Sequence, residues 1–495
     1  MKVLWKCVSA ATLTFALTAC TTTPPASFKA EDMPKAFTAP ISEAAQQQIS
    51  TEWWKSFSSS ELAGFIDAAH AGNLDLAAAA ARVMQAQARS GVAVSSLLPS
   101  VGLTADASRA QSKSLFGMTT ANSFSFGGSA SYELDFWGLA QNNLRAARRT
   151  ARAAIYAEDV VALTTEANVA NTYFTVLALR QRVNIARKNI DAAKRILAIT
   201  EAKVTNGVLS NLELAQQRAL VAGEEAAIPR LEEQEREARY SLAILLGRMP
   251  EGLEVKEASL EGLSAPPVQP GMPSALLQRR PDIAQAEATM LAAHANLDAA
   301  RAAFLPGISL TGSGGWQNAD IDKLINPSNL AWSIGASLVQ AIFDGGRLTS
   351  QRDEARGAEM EMLATYRSTV INALADVETG IGSVASYEEQ DRLTTEEVVN
   401  AAEAFRISEL QYREGVVDLL TVLNAQQTLF SSQDTLIQIK LARLEAGVSL
   451  YRALGGGWTI AADEDKPTRN TFVPVPDLTD LPIPNPLTMD LGKAF

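Results

Sequence analysis

The segments of this chain occur twice in the same order, displaced by about 207 residues. The clearest corresponding pairs are Asp75 with Asp282 and Pro99 with Pro306, both 207 residues apart, and Gly207 with Gly415 and Gly247 with Gly455, both 208 residues apart. A change of one residue over such a length indicates a duplicated unit rather than chance similarity. The chain must therefore fold as two versions of one arrangement.

Each copy predicts a helical segment, two strands and then two long helices. The helical segments are expected at about 59–98 and 275–305, and the long helices at about 138–205, 209–247, 346–412 and 416–454. Apolar residues in the long helices alternate steps of three and four, as in the series from Leu163 to Leu177 and from Leu420 to Leu444. This spacing predicts helices packed side by side. Helical periodicity alone would equally suit a stalk or scaffold.

Proline-rich stretches divide the chain outside the two copies. The copies occupy residues 59–247 and 275–458, and the segment 248–274 between them predicts a linker loop. Residues 459–495, which contain several prolines, predict an extended or disordered tail.

Four stretches alternate apolar and polar residues, which predicts β-strands with two different faces. They are "VGLTADAS" from Val101, "SFSFGGSASYELDFWG" from Ser123 to Gly138, "GISLTGSGGWQ" from Gly307, and "LAWSIGASLVQ" from Leu330. Their length is close to that of a tilted strand crossing a bilayer. Aromatic residues near their ends would suit the two membrane interfaces.

Four strands are too few to close a barrel, since about eight is the smallest usual number. A sheet exposed to lipid must nevertheless close, because every backbone group needs a partner there. Either the sheet is soluble and covered by helices, or several chains combine their strands. The polar positions carry Asp106, Glu133 and Asp135 among many Ser and Thr, a composition that favours a water-filled lumen.

The N-terminus has the features of a lipoprotein signal. Residues 1–19 contain two lysines and a short apolar run, and "LTAC" places Cys20 where a lipidated cysteine is expected. An ordinary signal peptide that happens to contain a cysteine is the alternative. The residue after Cys20 is Thr21 and not an aspartate, and in this respect the chain resembles bacterial lipoproteins that are transferred to the outer membrane. Residues 20–58 then form a lipid-anchored extended segment, which Trp53, Trp54 and Phe57 are expected to pack onto the helices.

Composition argues against several other functions. The formal net charge of -12 is unsuited to nucleic-acid binding, which needs a basic surface. The only two histidines, His70 and His294, lack neighbours at metal-ligand spacing. Gly455–Gly457 lacks the lysine of a phosphate-binding loop and is expected to end a helix. No catalytic group is recognised, so the chain is predicted not to be an enzyme and to need no cofactor or metal.

Several motifs together resemble the TolC/OprM-type outer-membrane factors, in the lipoprotein, NodT-like subfamily of efflux outer-membrane subunits. The matching pieces are "WWKSF" at 53–57, "GNLDLAAAAARV" at 72–83, "YELDFWG" at 132–138, "RRPDI" at 279–283, "FDGGRL" at 343–348, "YREGVVDLLTVLNAQQTLF" at 412–430 and "YRALGGGW" at 451–458. The resemblance implies a mainly helical fold with transmembrane β-structure. Three chains would each give four strands to a 12-stranded β-barrel, above a long periplasmic α-helical barrel.

The resemblance also implies a periplasmic gate at the tips of the paired helices. In the family, hydrogen bonds and ion pairs hold it shut, and the matching positions here are Gly207, Glu213, Tyr412, Gly415, Val417, Asp418, Thr421 and Asn424. Val417 replaces an arginine that some members carry, and Thr421 and Asn424 replace acidic residues. Asp418 is a nearby acid that could substitute. The alternative is a mainly apolar constriction formed by Val416, Val417, Leu419 and Leu420.

The expected function is a passive, trimeric exit duct in the outer membrane for drugs or toxic small molecules. It would work with a periplasmic adaptor protein and an inner-membrane pump. The lipoprotein signal at Cys20 and the "YRALGGGW" motif resemble the branch of the family linked to proton-driven pumps more than the protein-secretion branch. An acidic lumen predicts a preference for cations. Two alternatives stay open: the duct of an ATP-driven protein or metal export system, and a lipid-anchored structural protein without a pore.

Overall fold

The computed structural model describes residues 28–38, 50–114, 117–264 and 270–460, and the described chain is mostly helical with one four-stranded sheet. The helices are α1 (Ser60–Gly72), α2 (Leu74–Ser95), α3 (Leu139–Thr205), α4 (Asn211–Leu245), α5 (Leu276–Arg279), α6 (Pro281–Ala302), α7 (Arg347–Glu414) and α8 (Leu419–Ala453). The strands are β1 (Ser100–Ser114), β2 (Gly117–Leu134), β3 (Gly307–Asn318) and β4 (Leu330–Val339). Cys20, the leader and residues 461–495 lie outside the described residues.

The long helices agree with the sequence prediction to within about three residues at each end. Within the described residues, no helix combines the length and the apolar character required to span a bilayer. After α8, Gly455, Gly456 and Gly457 all have positive φ angles. Such angles cost little only for glycine, so these residues end the helix as expected.

Two predicted helical segments are each interrupted by one extended residue. The segment 59–98 breaks at Asn73, whose side-chain oxygen accepts hydrogen bonds from the backbone N–H groups of Asp75 and Leu76 and so starts α2. The segment 275–305 breaks at Arg280, which is extended because it precedes Pro281. Local capping and proline geometry explain both interruptions.

The sheet is antiparallel throughout and has the strand order β1-β2-β3-β4. Strand β2 starts earlier than predicted and ends at Leu134, so the four residues Asp135–Gly138 do not belong to it. Gly138 has a φ of 80°, and this conformation turns the chain from the strand into α3.

The chain divides into two compact units that do not coincide with the two copies. The first unit contains the sheet and is formed mainly by Arg82–Ala157 and Asp282–Ala373. Its buried residues include Met290, Leu297, Tyr366 and Val370. The second unit is formed by Lys35–Ala81, Glu158–Pro281 and Leu374–Phe495. Its core contains Trp53, Phe57, Leu62, Ile66, Tyr173, Phe174, Leu177 and Leu242.

Candidate functional site: the open sheet and the helix tips

One face of the sheet carries a ladder of hydrogen-bonded polar side chains. Three pairs of serine hydroxyls bond across neighbouring strands: Ser100 with Ser131 at 2.7 Å, Ser309 with Ser337 at 2.7 Å and Ser313 with Ser333 at 2.9 Å. The strand register places Asp106, Ser125 and Gln317 in one row of the same face. The Ser125 hydroxyl donates to the Asp106 carboxylate at 3.5 Å. This face is suited to contact with water.

The opposite face of the sheet is exposed, and it is apolar from Val101 to Ala107 of β1 and at the positions paired with them, whereas Arg109 and Lys113 lie on the same face closer to the β1–β2 turn. Its exposed large apolar side chains are Val101, Leu103, Phe126, Leu310, Leu330, Trp332, Ile334 and Leu338. Phe126 and Trp316 stack on neighbouring strands, with ring centroids 6.2 Å apart. A continuous apolar surface of this kind indicates contact with a membrane or another protein.

Both edges of the sheet are open in the single chain. Strands β1 and β4 form the edges, and in the part of the chain that the structure describes each pairs on one side only. Because every neighbouring pair is antiparallel, β1 and β4 run in opposite directions. The β4 edge of one chain is therefore able to pair antiparallel with the β1 edge of another.

The three acidic residues predicted for a lumen differ in their positions. Asp106 lies in β1 and Glu133 in β2, where Glu133 is exposed opposite Ser309. The assignment of Asp135 to a strand was wrong, because Asp135 follows the end of β2. Its carboxylate accepts the backbone N–H of Gln141 at 2.8 Å and thereby caps the first turn of α3.

The tips of two helical hairpins, α3–α4 and α7–α8, share one apolar core in the second unit. We call this cluster the tip core. Residues from all four helices contribute to it, among them Ala193, Ile196, Val221, Phe405, Tyr412, Leu419, Val422, Leu423 and Phe430. Gln217 and Gln426 are also fully buried here. Gln217 donates to the carbonyl of Ala193 at 2.9 Å. The two hairpins of one chain thus form a packed bundle.

Each hairpin turns at a glycine and then restarts with a capped helix. Gly207 and Gly415 have φ angles of 75° and 79°. In the first hairpin, the Ser210 side chain and Glu213 form a capping box at the start of α4. In the second, the Asp418 carboxylate accepts the backbone N–H and the hydroxyl of Thr421. These caps satisfy N–H groups that would otherwise lack partners.

The two capping carboxylates are stabilised in their charged form. The hydroxyl of Ser210, followed by backbone N–H groups, lowers the pKa of Glu213. The hydroxyl and N–H of Thr421 likewise lower the pKa of Asp418. Hydrogen bonds to a carboxylate favour the ionised state in this way. Both acids therefore have a structural role within one chain.

Tyr412 connects the two hairpins of one chain. Its side chain is buried, and its hydroxyl bonds that of Thr200 on α3 at 2.9 Å. The Lys203 ammonium donates to the backbone carbonyl of Tyr412 and lies 4.3 Å from the centre of its ring. Burial raises the pKa of Tyr412, so its hydroxyl stays protonated. A role in contacts between chains stays a prediction for this residue.

The remaining tip residues divide between the core and the surface. Leu419 is buried in the tip core, so its assignment to an apolar constriction was wrong. Val417 packs against the same core and is half-buried. Asn424 and Thr421 are exposed, as are Val416 and Leu420. Of the four residues proposed for an apolar constriction, only Val416 and Leu420 are largely accessible in the single chain.

Sequence reasoning missed several of these contacts. The Ser-x-x-Glu pattern at Ser210 and Glu213 is a recognisable capping signal that would have assigned both residues. Nothing local indicates that Thr200 and Lys203 contact Tyr412, which lies about 210 positions later in the chain.

The aromatic residues before the first copy are packed as expected. Trp53 and Phe57 are buried in the second unit, and Trp53 stacks on Tyr451 with ring centroids 5.5 Å apart. Glu166 accepts hydrogen bonds from the Trp53 indole N–H and from His70, and its bond to the imidazole raises the pKa of His70. This network attaches the segment to α1 and α3.

The second histidine, His294, lies in the first unit and bonds the Glu359 carboxylate at 2.6 Å. Among the described residues, no group of three or more His, Cys, Asp or Glu side chains has a geometry able to hold a metal ion.

Comparison with known proteins identifies the family. The family model "Outer membrane efflux protein" matches residues 65–248 and again residues 272–456, so the chain belongs to this family. It is 41% identical to the pyoverdine export outer membrane protein OpmQ of Pseudomonas aeruginosa over 82% of this chain and 87% of that one. It is 30% identical to the cation efflux system protein CusC of Escherichia coli, over 90% and 97% of the two chains.

A solved structure, that of the outer-membrane channel OprN, has the same fold. The TM-score is 0.80 at 26% identity, and the match covers 88% of this chain and all of the other. The predicted fold class, a mainly helical chain with four strands of an outer-membrane channel, is confirmed. The predicted family, the outer-membrane location and the role as an efflux duct are confirmed too.

Proposed function

We propose that three copies of this chain form a passive exit duct of a tripartite efflux system. The four strands of each chain would join in a 12-stranded β-barrel, and the long helices would form a tunnel below it. The open sheet carries this proposal: it has a polar face, an exposed apolar face and two unpaired edges of opposite direction. Closure with other copies would satisfy both edges and give the apolar face to lipid.

The helix tips support docking of a periplasmic adaptor protein. Each tip exposes a valine directly after its glycine and a leucine four residues later, at corresponding positions in the two copies. The exposed fractions are 68% for Val208 and 66% for Leu212, and 71% for Val416 and 56% for Leu420. Two matched apolar pairs at the ends of two hairpins suit a partner that contacts both hairpins in the same way.

The gate is proposed to lie at the same tips. Gly207, Glu213, Tyr412, Gly415, Val417, Asp418, Thr421 and Asn424 would control its closure, as the family resemblance implies. Opening of the channel by Tyr412→Phe would support a hydrogen-bonded lock. Opening by Val416→Ser, without an effect of Tyr412→Phe, would support an apolar constriction. Single-channel conductance of both variants measures the difference.

The N-terminal segment is proposed to anchor each chain through lipid on Cys20. Phe28, eight residues later, lies against Tyr366 of α7 in the first unit, with ring centroids 6.3 Å apart. Mass spectrometry of the mature N-terminus tests the modification.

The cargo is proposed to be a small molecule delivered by a proton-driven inner-membrane pump. Relatives named for pyoverdine export and cation efflux support this class. No cofactor or catalytic step is proposed. Asp106 and Glu133 on the polar face would give the lumen a preference for cations. Cross-linked purification from native membranes would identify the pump. Recovery of an ATP-driven exporter would contradict the proposal that the pump is proton-driven.

Cysteine cross-linking tests the closed assembly directly. Leu103→Cys in β1 would be combined with a cysteine at successive positions of β4, from Trp332 to Leu338. We expect a covalent ladder up to a trimer for the positions in register, together with conductance in a planar bilayer. Leu103→Cys alone is the control. A monomer in every combination, without conductance, would instead favour a structural protein that has no pore.

A further inference from the structure

One face of α3, directly after the sheet, carries a stripe of arginines. Arg145, Arg148, Arg149 and Arg152 are spaced at i, i+3, i+4 and i+7 and so share one side of the helix. Arg145, Arg148 and Arg149 are exposed. Within the described part of the chain, none of these three has an ion-pair partner at 4.0 Å or less. We call these three residues the arginine face.

The corresponding part of the second copy has a different charge pattern. Between Asp135 and Glu158 the first copy contains no acidic residue. In α7, by contrast, Arg352 and Arg356 lie among Asp353, Glu354, Glu359 and Glu361, and Arg352 bonds Asp353 at 2.8 Å. The like charges of the arginine face repel one another along the helix, and no carboxylate of the described residues lies within 4.0 Å of them.

The arginine face lies close to the periplasmic end of the strands. Between strand and helix, the aromatic residues Phe136 and Trp137 are exposed, as is Phe343 at the matching position of the second copy. Exposed aromatic residues at strand ends mark the membrane interface. At 1.5 Å per residue, Arg145 lies about 9 Å along the helix axis from Leu139, the first residue of α3, and Arg149 lies about 15 Å from it.

These distances bring the guanidinium groups within reach of lipid headgroups. Side chains of a helix are inclined toward its N-terminus, which here is the end next to the strands. The headgroup layer adds about 5 to 8 Å to each side of the hydrocarbon core. Electrostatic attraction extends about another 8 Å at physiological ionic strength.

We propose that the arginine face binds the phosphodiester groups of anionic phospholipids in the periplasmic leaflet of the outer membrane. Guanidinium groups bind phosphate oxygens in a bidentate geometry, which suits them to this ligand better than lysines. The bound lipid would place negative charge beside the three guanidinium groups and would fix the depth of the sheet in the bilayer. The proposal requires that the sheet crosses the membrane, and it does not depend on which pump or cargo the duct serves.

Lipid retention by the purified full-length protein tests this proposal. The probes are phosphatidylglycerol and phosphatidylcholine with identical acyl chains, added to the protein in neutral detergent and counted by native mass spectrometry. The test variant is R145Q/R148Q/R149Q. The matched control is R352Q/R356Q/R367Q, which removes the same charge from α7. Conductance in a planar bilayer verifies that both variants form channels.

We expect the wild-type protein and the control to retain phosphatidylglycerol in preference to phosphatidylcholine. The test variant should lose this preference by at least tenfold, because each basic residue near a membrane surface contributes about fivefold to binding of anionic lipid. The preference should also fall at high salt. An unchanged preference in the test variant, or an equal loss in the control, would overturn the proposal. So would an altered anion permeability with unchanged lipid retention, since the arginines would then face the lumen.

Discussion

Two pairs of glycines at opposite ends of the helical hairpins look alike in the sequence and differ in their surroundings. Gly207 and Gly415 turn the hairpins at the tips, while Gly247 and Gly455 follow the second helix of each hairpin. All four have positive φ angles, between 65° and 88°. At the tips, nothing lies within 4 Å of the place where a side chain would begin. At the other end, that place is occupied by a backbone carbonyl.

The glycines at the far end belong to two equivalent junctions between helices. A Cβ on Gly247 would meet the carbonyl oxygen of Gly72, and one on Gly455 would meet that of Arg279, both well under 3.0 Å. In each copy, the end of the long hairpin thus packs backbone to backbone against the junction between the two helices that open the same copy, α1–α2 in the first and α5–α6 in the second. The lesson is that positive φ alone does not tell which glycine is indispensable.

The same junctions are completed by different side chains in the two copies. In the first, the Asn73 amide donates to the carbonyl of Leu245 at 2.8 Å. In the second, the Arg280 guanidinium donates to the carbonyl of Ala453 at 3.0 Å and pairs with Asp376. Each satisfies a carbonyl at the last turn of a helix. One function has been retained while the residue type has changed.

The largest expected effect is that of Gly455→Ala. The added Cβ cannot be accommodated without moving backbone, so we expect a loss of about 3 kcal/mol or more of stability, or no folded protein. Gly415→Ala is the matched control and should cost only about 1 kcal/mol, from its left-handed conformation. The yield of folded protein and its thermal unfolding in detergent measure both. Similar losses for the two variants would contradict the comparison.

A smaller effect is expected for the side chains that complete the junctions. Arg280→Ala removes a buried guanidinium and leaves the carbonyl of Ala453 without that donor, which should cost about 2 kcal/mol. Asn73→Ala should cost about 1 to 2 kcal/mol, because it removes both a bond to Leu245 and the cap of α2. Thermal unfolding of the two variants gives the comparison.

Asp376→Asn tests the ion pair of Arg280 with Asp376 separately from the bond of Arg280 to the carbonyl of Ala453. Asp376 is half-exposed, so weakening this ion pair should cost well under 1 kcal/mol. A loss as large as that of Arg280→Ala would show that the ion pair, and not the bond to the helix end, stabilises the second junction.

The smallest effect is expected at the tips, where it should depend on pH. The pKa values of Glu213 and Asp418 are lowered in the folded state by their capping hydrogen bonds. Their contribution to stability is therefore complete above the unfolded values near pH 4 and is lost as the pH falls through the lower folded values. Amide hydrogen exchange in the first turns of α4 and α8 should increase relative to the junctions on acidification.

Variants at the caps sharpen this measurement. In Asp418→Asn, the first turn of α8 should lose its acid dependence, while that of α4 keeps it through Glu213. The converse is expected for Glu213→Gln. Acid-induced exchange that persists in both variants would assign the effect to another group.

Patterns within short stretches of sequence were sufficient for much of the fold. The long helices and the four two-faced strands follow from spacings of two, three or four residues and from Gly and Pro at the boundaries, and the duplication follows from matching short motifs about 207 residues apart. These signals are local, because strand alternation and helical periodicity depend on neighbouring residues. The resemblance of several such motifs was sufficient for the family.

The tertiary structure alone decided which residues perform which task. In the structure, Asp135 caps a helix and does not belong to a strand, and Leu419 is buried in the tip core. Thr200 and Lys203 contact Tyr412. The structure also showed that Asn73 and Arg280 close equivalent junctions, and that Gly455 but not Gly415 is held against a carbonyl. The physical reason is that burial, close backbone approach and long-range hydrogen bonds arise between segments far apart in the chain, where no local spacing records them.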